Sequence, residues 1–368
     1  MSNTLPAQLQ AYHDDLEVIE PDEPETARGL AETMLSIAYK TYGDSGHAIR
    51  SVHAKSHGVL KAEFEILDNL PEPLAQGLFA QPGRHDAIIR LSSTPGDILH
   101  DSVSTPRGMA LKILNVEGDR LEGADASSQD FVMVNGKQFN ASSAKAFLKN
   151  LKLLAATTDH AEGLKKLASK AFRGIETVLE TFGGESATLK SMGGHPETHI
   201  LGESFFGQLP IRYGNYVAKI GVFPVSPELT ALTDAPLDIN HDHDGLRHAV
   251  SDYFAQHPAI WEFRIQLCSS DADMPVEDAA AIWDEEISPF ITVARLTAAP
   301  QQSWSEDRAK AVDDGMGFRP WNALAAHRPL SSIMRMRKLA YKQTQDFRSQ
   351  RNVTPVTEPT GLNAVPDH

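Results

Sequence analysis

Near its C-terminal end the chain contains a tyrosine flanked by two arginines at helical spacing. In "RMRKLAYKQTQDFR", Arg337 precedes Tyr341 by four residues and Arg348 follows it by seven. At about 100° per residue, these three side chains lie within roughly 40° of one another on one helix face. A guanidinium close to a phenol oxygen favours the phenolate and lowers its pKa. A phenolate is a hard anionic ligand that suits ferric iron, including the iron of haem.

The same spacing has an ordinary structural explanation. A tyrosine often packs its ring in a core and extends its hydroxyl to water. One Arg-x-x-x-Tyr pattern does not distinguish that arrangement from a ligand. The pattern gains weight only if other residues of the same site are present.

A histidine at the start of a predicted strand is the second candidate for chemistry. "IRSVHAKSHG" places His53 between Val52 and Ala54, and the following "VLKAEFEIL" alternates as a strand does. We therefore expect His53 to lie on a strand that enters the core. A neutral imidazole in that position can take up a proton and return it.

Composition describes a globular protein with excess negative charge. The 368 residues are 41% hydrophobic and 23% charged, and the formal net charge is -15. That charge argues against a nucleic-acid partner, because phosphate backbones require a positive surface. No apolar run approaches the roughly 18 residues of a membrane span, and the N-terminal residues lack the features of a secretory signal. We therefore expect a cytoplasmic protein, with its one cysteine, Cys268, in the core.

Positive charge is concentrated in residues 328–351. This segment contains seven arginine and lysine residues against Asp346 alone, a net charge of +6. An anionic group bound against the last helix would explain this excess. A solvated helix face explains it as well.

The pattern of elements predicts an α+β domain over residues 29–351. Short, partly alternating strands fall in 57–136 and 215–299, and helices in 25–43, 141–157, 161–184 and 331–351. Antiparallel strands split by helices, without a βαβ rhythm, favour a sheet or barrel with helices around it. Residues 1–28 form an acidic N-terminal arm. Residues 352–368 offer little to bury and are expected to be a loose tail.

Seven segments resemble those of haem catalases in their order and approximate spacing. They are "IRSVHAKSHG", "IIRLSSTPGD", "STPRGMALKIL", "RYGNYVAKIGV", "WEFRIQL", "FRPWNAL" and "MRMRKLAYKQTQDFR". The whole is similar to the short catalase-related peroxidases, minimal catalase-like proteins, over about residues 30–351. The resemblance implies an antiparallel β-barrel wrapped by helices, with haem b (iron protoporphyrin IX) buried in the barrel domain.

The resemblance also implies roles for the polar candidates. His53 matches the distal acid–base residue, and Ser92 matches the serine that binds its other ring nitrogen, with Ser93 as the alternative. Tyr341 matches the axial ligand of the haem iron, with Arg337 as its charge partner.

The remaining matches concern the walls of the haem site. Three apolar residues match the lining of the distal pocket: Val52, Phe131 and Phe139. Three arginines match those that pair with the haem propionates, for which a planar guanidinium is well suited: Arg50, Arg90 and Arg348. The propionates would then be the anionic group of the basic segment.

The activity that the resemblance implies is that of a haem peroxidase. Such an oxidoreductase reduces hydrogen peroxide or organic hydroperoxides with a small organic electron donor, through a ferryl intermediate. The family's distal asparagine is missing, since counting back five residues from Phe131 reaches Ala126. This absence disfavours efficient disproportionation of hydrogen peroxide. That catalase activity, the rearrangement of a fatty-acid hydroperoxide as in allene oxide synthases, and a haem-binding protein without turnover stay open as alternatives.

Two further expectations come from the same comparison. Family members are usually oligomeric, so we expect a homo-oligomer. "NHDHDGLRHAV" carries His241, His243 and His248 beside two aspartates, a set that can bind zinc or nickel. In catalase-like proteins this stretch is a turn that leads into a helix, which favours a structural role.

Overall fold

The computed structural model describes residues 4–124, 127–157 and 195–368; the helix predicted over 161–184 lies outside them. In the described part, the helices are the N-terminal helix (Glu23–Ser45), Ala144–Thr157, Pro227–Thr230, Gly245–Phe254, Glu306–Ala309 and the C-terminal helix (Ser332–Asn352). The strands are β1 (Ser56–Ile66), β2 (Gly83–Ser93), β3 (Arg107–Ile113), β4 (Gln129–Val134), β5 (Phe205–Phe206), β6 (Ile211–Tyr213), β7 (Tyr216–Pro224), β8 (Ala259–Leu267) and β9 (Ile291–Ala298).

The strands form a closed antiparallel barrel. Their order is β5-β4-β3-β2-β1-β9-β8-β7-β6, and an additional pairing of β5 with β7 closes eight of them into a ring. Closure leaves β6 at the side of the barrel, paired with β7. The predicted α+β architecture with an antiparallel barrel is confirmed.

The two faces of the barrel wall differ in character. Because side chains alternate along a strand, residues such as Phe64, Leu91 and Leu111 point inward into the main apolar cluster. The outward positions of β2 and β3 are partly polar, and include Arg90 and Ser92. These outward residues are nevertheless buried, so other elements must cover them.

Two long helices pack against each other. The N-terminal helix ends at Gly46, whose φ of 71° permits a left-handed cap. Its buried residues Leu30 and Met34 share an apolar cluster with Met336 and Ala340 of the C-terminal helix. This packing fixes the rotation of the C-terminal helix and so the direction in which its polar side chains point.

The expectation of a loose C-terminal tail is wrong. Val365 is completely buried against the outer face of the barrel with Val59 and Phe318. Glu358 forms an ion pair with the buried Lys112, and the Pro366 carbonyl accepts a 2.7 Å hydrogen bond from Arg308. The segment is mostly polar, so its composition did not indicate that a few apolar and acidic residues dock it.

None of the helices in the described part of the chain is long and apolar enough to cross a bilayer.

Candidate functional site

His53 lies in the turn before β1 and not on the strand, so its predicted strand position is wrong. The strand begins at Ser56, and His53 has a left-handed backbone with φ of 53°. Its N–H donates to the Thr94 carbonyl at 2.9 Å, which ties the turn to the chain after β2. A non-glycine residue in this conformation is uncommon and is often found where function requires it.

The imidazole of His53 is held against the outer face of the barrel. Its Nδ1 lies 3.1 Å from Ser92 Oγ on β2. Gly108 on β3 leaves space for the ring, because a Cβ there would lie 2.5 Å from two imidazole atoms. The alternative residue, Ser93, points to the opposite face, where its Oγ lies 2.6 Å from Nε2 of His57. The structure therefore pairs His53 with Ser92.

The surroundings of His53 keep its ring neutral. Burial, and then the positive charges of Arg90, Arg337 and Arg50, lower its pKa to about 3. A ring whose Nδ1 donates to Ser92 Oγ has an unprotonated Nε2. In that tautomer Nε2 can accept a proton at neutral pH.

Tyr341 and Arg337 form a close pair on the C-terminal helix. Nη2 of Arg337 donates to the Tyr341 hydroxyl, and the guanidinium carbon lies 4.9 Å from the ring centroid. Tyr341 is half-buried. Because the charge of Arg337 also contributes to the low pKa of His53, Arg337 lies within electrostatic range of both candidate groups.

Arg50, Arg90 and Arg348, here called the arginine cluster, converge beside the His53 turn. Arg90 Nε lies 2.5 Å from Oδ1 of Asp313, and Arg50 Nε lies 3.8 Å from the same oxygen. Arg50 and Arg348 both donate to the carbonyl of Met316, at 3.0 and 3.1 Å. Three elements distant in sequence thus bring three guanidinium groups together.

The arginine cluster has more positive charge than its described neighbours balance. Asp313 is the carboxylate in contact with it among the residues of 4–124, 127–157 and 195–368. The buried Nε atoms of Arg50 and Arg348 have no hydrogen-bond partner there. Burial lowers the pKa of Arg348 to about 10, and burial together with Arg348 and Arg90 lowers that of Arg50. The cluster is therefore suited to an additional anionic group with carboxylates.

The His53–Ser92 pair and the arginine cluster lie on the same surface of the barrel wall. Ser92 and Arg90 are two residues apart on β2 and point outward, which separates them by about 7 Å. The His53 pair thus lies beside the arginine cluster on one surface. The C-terminal helix supplies Arg337 and Tyr341 as well as Arg348 of the cluster.

Two of the three predicted apolar lining residues lie together near this surface. Val52 and Phe139 pack against the cluster that includes Met336 and Ala340 of the C-terminal helix. Phe131 is not brought to them. It points into the barrel, where its ring centroid lies 5.0 Å from that of Phe263, and the outward position of β4 belongs to the next residue, Val132.

Part of the basic segment is neutralised by the protein itself. Arg335 forms ion pairs with Glu17, Glu23 and Glu277, and Arg328 pairs with Glu17. The acidic arm therefore explains some of the charge excess that suggested an external anion. Arg348 is not among the residues that it neutralises.

The histidine-rich loop does not form a metal site. His248 pairs with Asp242 at 2.6 Å and His243 with Asp244 at 3.1 Å. Within the described ranges, no group of three or more histidine, cysteine or acidic side chains is arranged to hold a metal ion. Cys268 is buried, as predicted. Burial raises the pKa of its thiol to about 12.

Asp313 and Gly108 are site residues that sequence reasoning missed. Asp313 follows a short helix in a π-helical turn, Lys310–Asp314, and no pattern in "KAVDDGMGF" marks it. Gly108 stands in "PRGMALKIL", where the glycine reads as a turn residue before a strand. A glycine within a strand can also signal a close approach by another group, and that signal was present.

Solved structures of catalases share this fold. The chain matches a fungal catalase with a TM-score of 0.60 and 15% identity, covering 90% of this chain and 69% of that one. It matches catalase A from Saccharomyces cerevisiae with a TM-score of 0.59 and 14% identity, covering 89% and 66%. A bacterial catalase gives 0.58 and 14%, covering 95% and 66%.

These likenesses show a catalase-like fold, as the sequence resemblance implied. The chain spans about two thirds of the length of the three catalases. No family model matches the chain, and no curated protein matches it.

Proposed function

We propose that the protein is a haem b peroxidase that reduces hydrogen peroxide or organic hydroperoxides with a small organic electron donor. The observation that carries this proposal is the neutral His53, held by Ser92, on the same buried surface as the arginine cluster. A protein that only binds haem has no need of a positioned proton acceptor. The catalase-like fold supports the same assignment.

The residues present fit haem b. The unpartnered Nε atoms of Arg50 and Arg348 would hold the propionates, and the phenol oxygen of Tyr341 would bind the iron. Arg337 donates to that oxygen and would hold it in position. When bound, haem supplies the redox-active iron at which the peroxide is reduced.

His53 moves the proton that peroxide cleavage requires. Its Nε2 accepts a proton from one peroxide oxygen and returns it to the other, so that the outer oxygen leaves as water or as an alcohol. Ser92 holds Nδ1 and thereby fixes the orientation of the ring. The organic donor then supplies two electrons in all.

Val52 and Phe139 keep water from this side of the site. Both are apolar and pack near the C-terminal helix. Excluding water strengthens each charge interaction within the site. Phe131 has no part in this lining, because it faces the interior of the barrel.

Replacing His53 by Ala tests the proposal directly. We expect His53→Ala to bind haem with an unchanged Soret band and to lose the reaction with peroxide by at least about 100-fold, the scale of general acid–base catalysis. His248→Ala, a change at an exposed histidine, is the control and should retain full activity. An unchanged rate in His53→Ala, or a colourless protein after growth with abundant haem precursor, would contradict the assignment.

The same preparation separates the related activities. Oxidation of an organic donor that depends on peroxide indicates a peroxidase, whereas oxygen release without a donor indicates disproportionation. Conversion of a fatty-acid hydroperoxide without a donor indicates rearrangement.

The position that matches the family's distal asparagine, Ala126, lies outside the described residues. We also propose a homo-oligomer, which sedimentation of the holoprotein would test.

A further inference from the structure

A small pocket beside β7 and β8 shares no residue with the proposed haem site. Its lining includes Lys219 of β7, Gln266 of β8 and Trp283, together with the apolar Ile220 and Phe290. Lys219 and Gln266 are directly paired across the two strands, so their side chains share a face. The enclosed part has room for about one water-sized ligand.

Lys219 is a buried cation without an acidic partner. Its side chain is 4% exposed, and its Nζ donates to the Ala281 carbonyl at 2.9 Å. In the described part of the chain no carboxylate forms an ion pair with it, although Asp278 is near enough to act on its charge. An ammonium group has three donors, so this contact leaves hydrogen-bonding capacity unused. A buried charge of this kind is unfavourable unless an anion accompanies it.

Trp283 supplies a second unused donor. The residue is 2% exposed, and its indole Nε1 has no hydrogen-bond partner in the described structure. Lys219 Nζ lies 4.9 Å from the Trp283 ring centroid. An indole N–H donates and cannot accept. The indole N–H therefore lacks an acceptor, and an acceptor with negative charge would also balance the ammonium, which donates to Ala281 and lies over the Trp283 ring.

We propose that this pocket binds a small monovalent inorganic anion, with a halide as the best fit, between Lys219 and the indole N–H of Trp283. The apolar walls and the small volume disfavour sulfate and phosphate, which are larger and more strongly hydrated. Gln266 does not compete for the anion, because both hydrogens of its amide are used by the carbonyls of Trp283 and Ser288.

Charge around Lys219 makes this binding dependent on pH. Burial lowers its pKa to about 8, against a smaller opposite effect of Asp278 and of Cys268. The other ionisable residue of the pocket, Lys137, is already paired with Glu285 at 2.5 Å. Below pH 8 the ammonium is charged and favours the anion. Above pH 8 it loses its proton, and anion binding should weaken.

Bromide is a suitable probe, because its anomalous scattering identifies it in crystals. We expect crystals of the full chain grown in bromide to show an anomalous peak within hydrogen-bond distance of Lys219 Nζ and Trp283 Nε1. A water or an empty density feature there, at a bromide concentration that fills other sites, would overturn the proposal.

Thermal unfolding supplies the solution test. Bromide or chloride should raise the Tm at pH 7 at concentrations where sulfate of equal ionic strength does not, and this effect should be lost at pH 9.5. Lys219→Met and Trp283→Phe should each reduce the apparent halide affinity at least tenfold. Lys137→Met, at the exposed lysine of the same pocket, is the control and should retain the response. An equal response in Lys219→Met and the wild type would overturn the assignment, and Trp283→Phe keeps the test possible if the lysine variant does not fold.

Discussion

At the scale of the residue, the position of His53 depends on the absence of a side chain. Gly108 faces the imidazole from β3, and a Cβ at this position would lie 2.5 Å from ring atoms and 3.2 Å from Ser92 Oγ. The His53 ring and the Ser92 hydroxyl are hydrogen-bonded to each other, so moving either one would break that hydrogen bond. Gly108 is therefore required because it lacks a side chain, and not because of its backbone conformation.

Gly108→Ala should therefore displace the histidine. We expect a loss of about 1–3 kcal/mol in the free energy of unfolding, the usual cost of overpacking, together with slower reaction with peroxide. Urea denaturation of the apoprotein and stopped-flow kinetics of the holoprotein measure the two effects. Gly43→Ala is a matched control, because nothing lies within 4 Å of a Cβ there and alanine favours the helix. Equal stability of both variants would show that the ring has room to move.

At the scale of the element, the π-helical turn Lys310–Asp314 organises the arginine cluster. It places the carboxylate of Asp313 between Arg90 and Arg50, where Ser56 also donates to it at 2.8 Å. The next residue, Asp314, points elsewhere and binds His47 at 3.0 Å. π-helical turns often occur at functional sites. In this turn the adjacent carboxylates of Asp313 and Asp314 point to different partners.

Asp313→Asn should destabilise the apoprotein more than it destabilises the haem-bound form. Without this charge Arg90 and Arg50 lose the carboxylate that contacts them, at a cost of up to about 3 kcal/mol because Asp313 is partly exposed. Bound propionates would replace that charge. The charges of Arg90 and Arg50 lower the pKa of Asp313 against the opposing effect of desolvation, so this stability is present above the unfolded pKa and is lost as the pH falls through the folded pKa.

The measurement is urea denaturation of both forms at pH 7. Asp346→Asn, at an exposed carboxylate paired with Lys342, is the control and should not alter the difference between apoprotein and holoprotein. An equal loss in both forms of Asp313→Asn would show that haem carboxylates do not reach the cluster.

The C-terminal tail is a second element whose role can be measured. Val365 is fully buried, so Val365→Ala should lower the free energy of unfolding by about 2 kcal/mol through lost burial and the cavity it leaves. Val18→Ala removes the same two methyl groups at a position that is 59% exposed and should change stability by less than about 0.5 kcal/mol. Equal effects in chemical denaturation would mean that the tail is not docked in solution.

At the scale of the whole molecule, the buried histidines link stability to pH. Burial is the largest cause that lowers the pKa of His53 and His327 to about 3 and that of His199 to about 4. Each lies below the unfolded value of about 6.5. The folded state therefore binds fewer protons than the unfolded state between these values, and stability rises with pH across this window.

We expect the free energy of unfolding to fall as the pH is lowered from 7 towards 5. Near pH 5.5 each buried neutral histidine contributes a slope of up to about 1.4 kcal/mol per pH unit. Urea midpoints measured at half-unit intervals check this slope. His53→Asn should reduce it, while the exposed His248→Asn should not. A slope of zero over this range would show that the histidines are protonated in the folded state.

Sequence reasoning identified most elements of the fold. Strand alternation and helical spacing gave the positions of β1–β4, β7–β9 and the long helices, because these signals are local and strong. The short strands β5 and β6 were missed, since two or three residues carry no periodicity and depend on partners far along the chain. The docking of the C-terminal tail was missed for the same reason, because it also depends on residues far along the chain.

The sequence by itself determined which chemical groups this protein has, and their local spacing: Arg337 beside Tyr341 on one helical face, and His53 ahead of an alternating strand. Only the tertiary structure decided that Phe131 faces the barrel interior, that Ser92 and not Ser93 contacts His53, and that Asp313 joins the arginine cluster. The physical reason is that side chains alternate between the faces of a strand. A shift of one residue moves a side chain to the opposite face of the strand. Which residues face the core is fixed by their burial against distant elements.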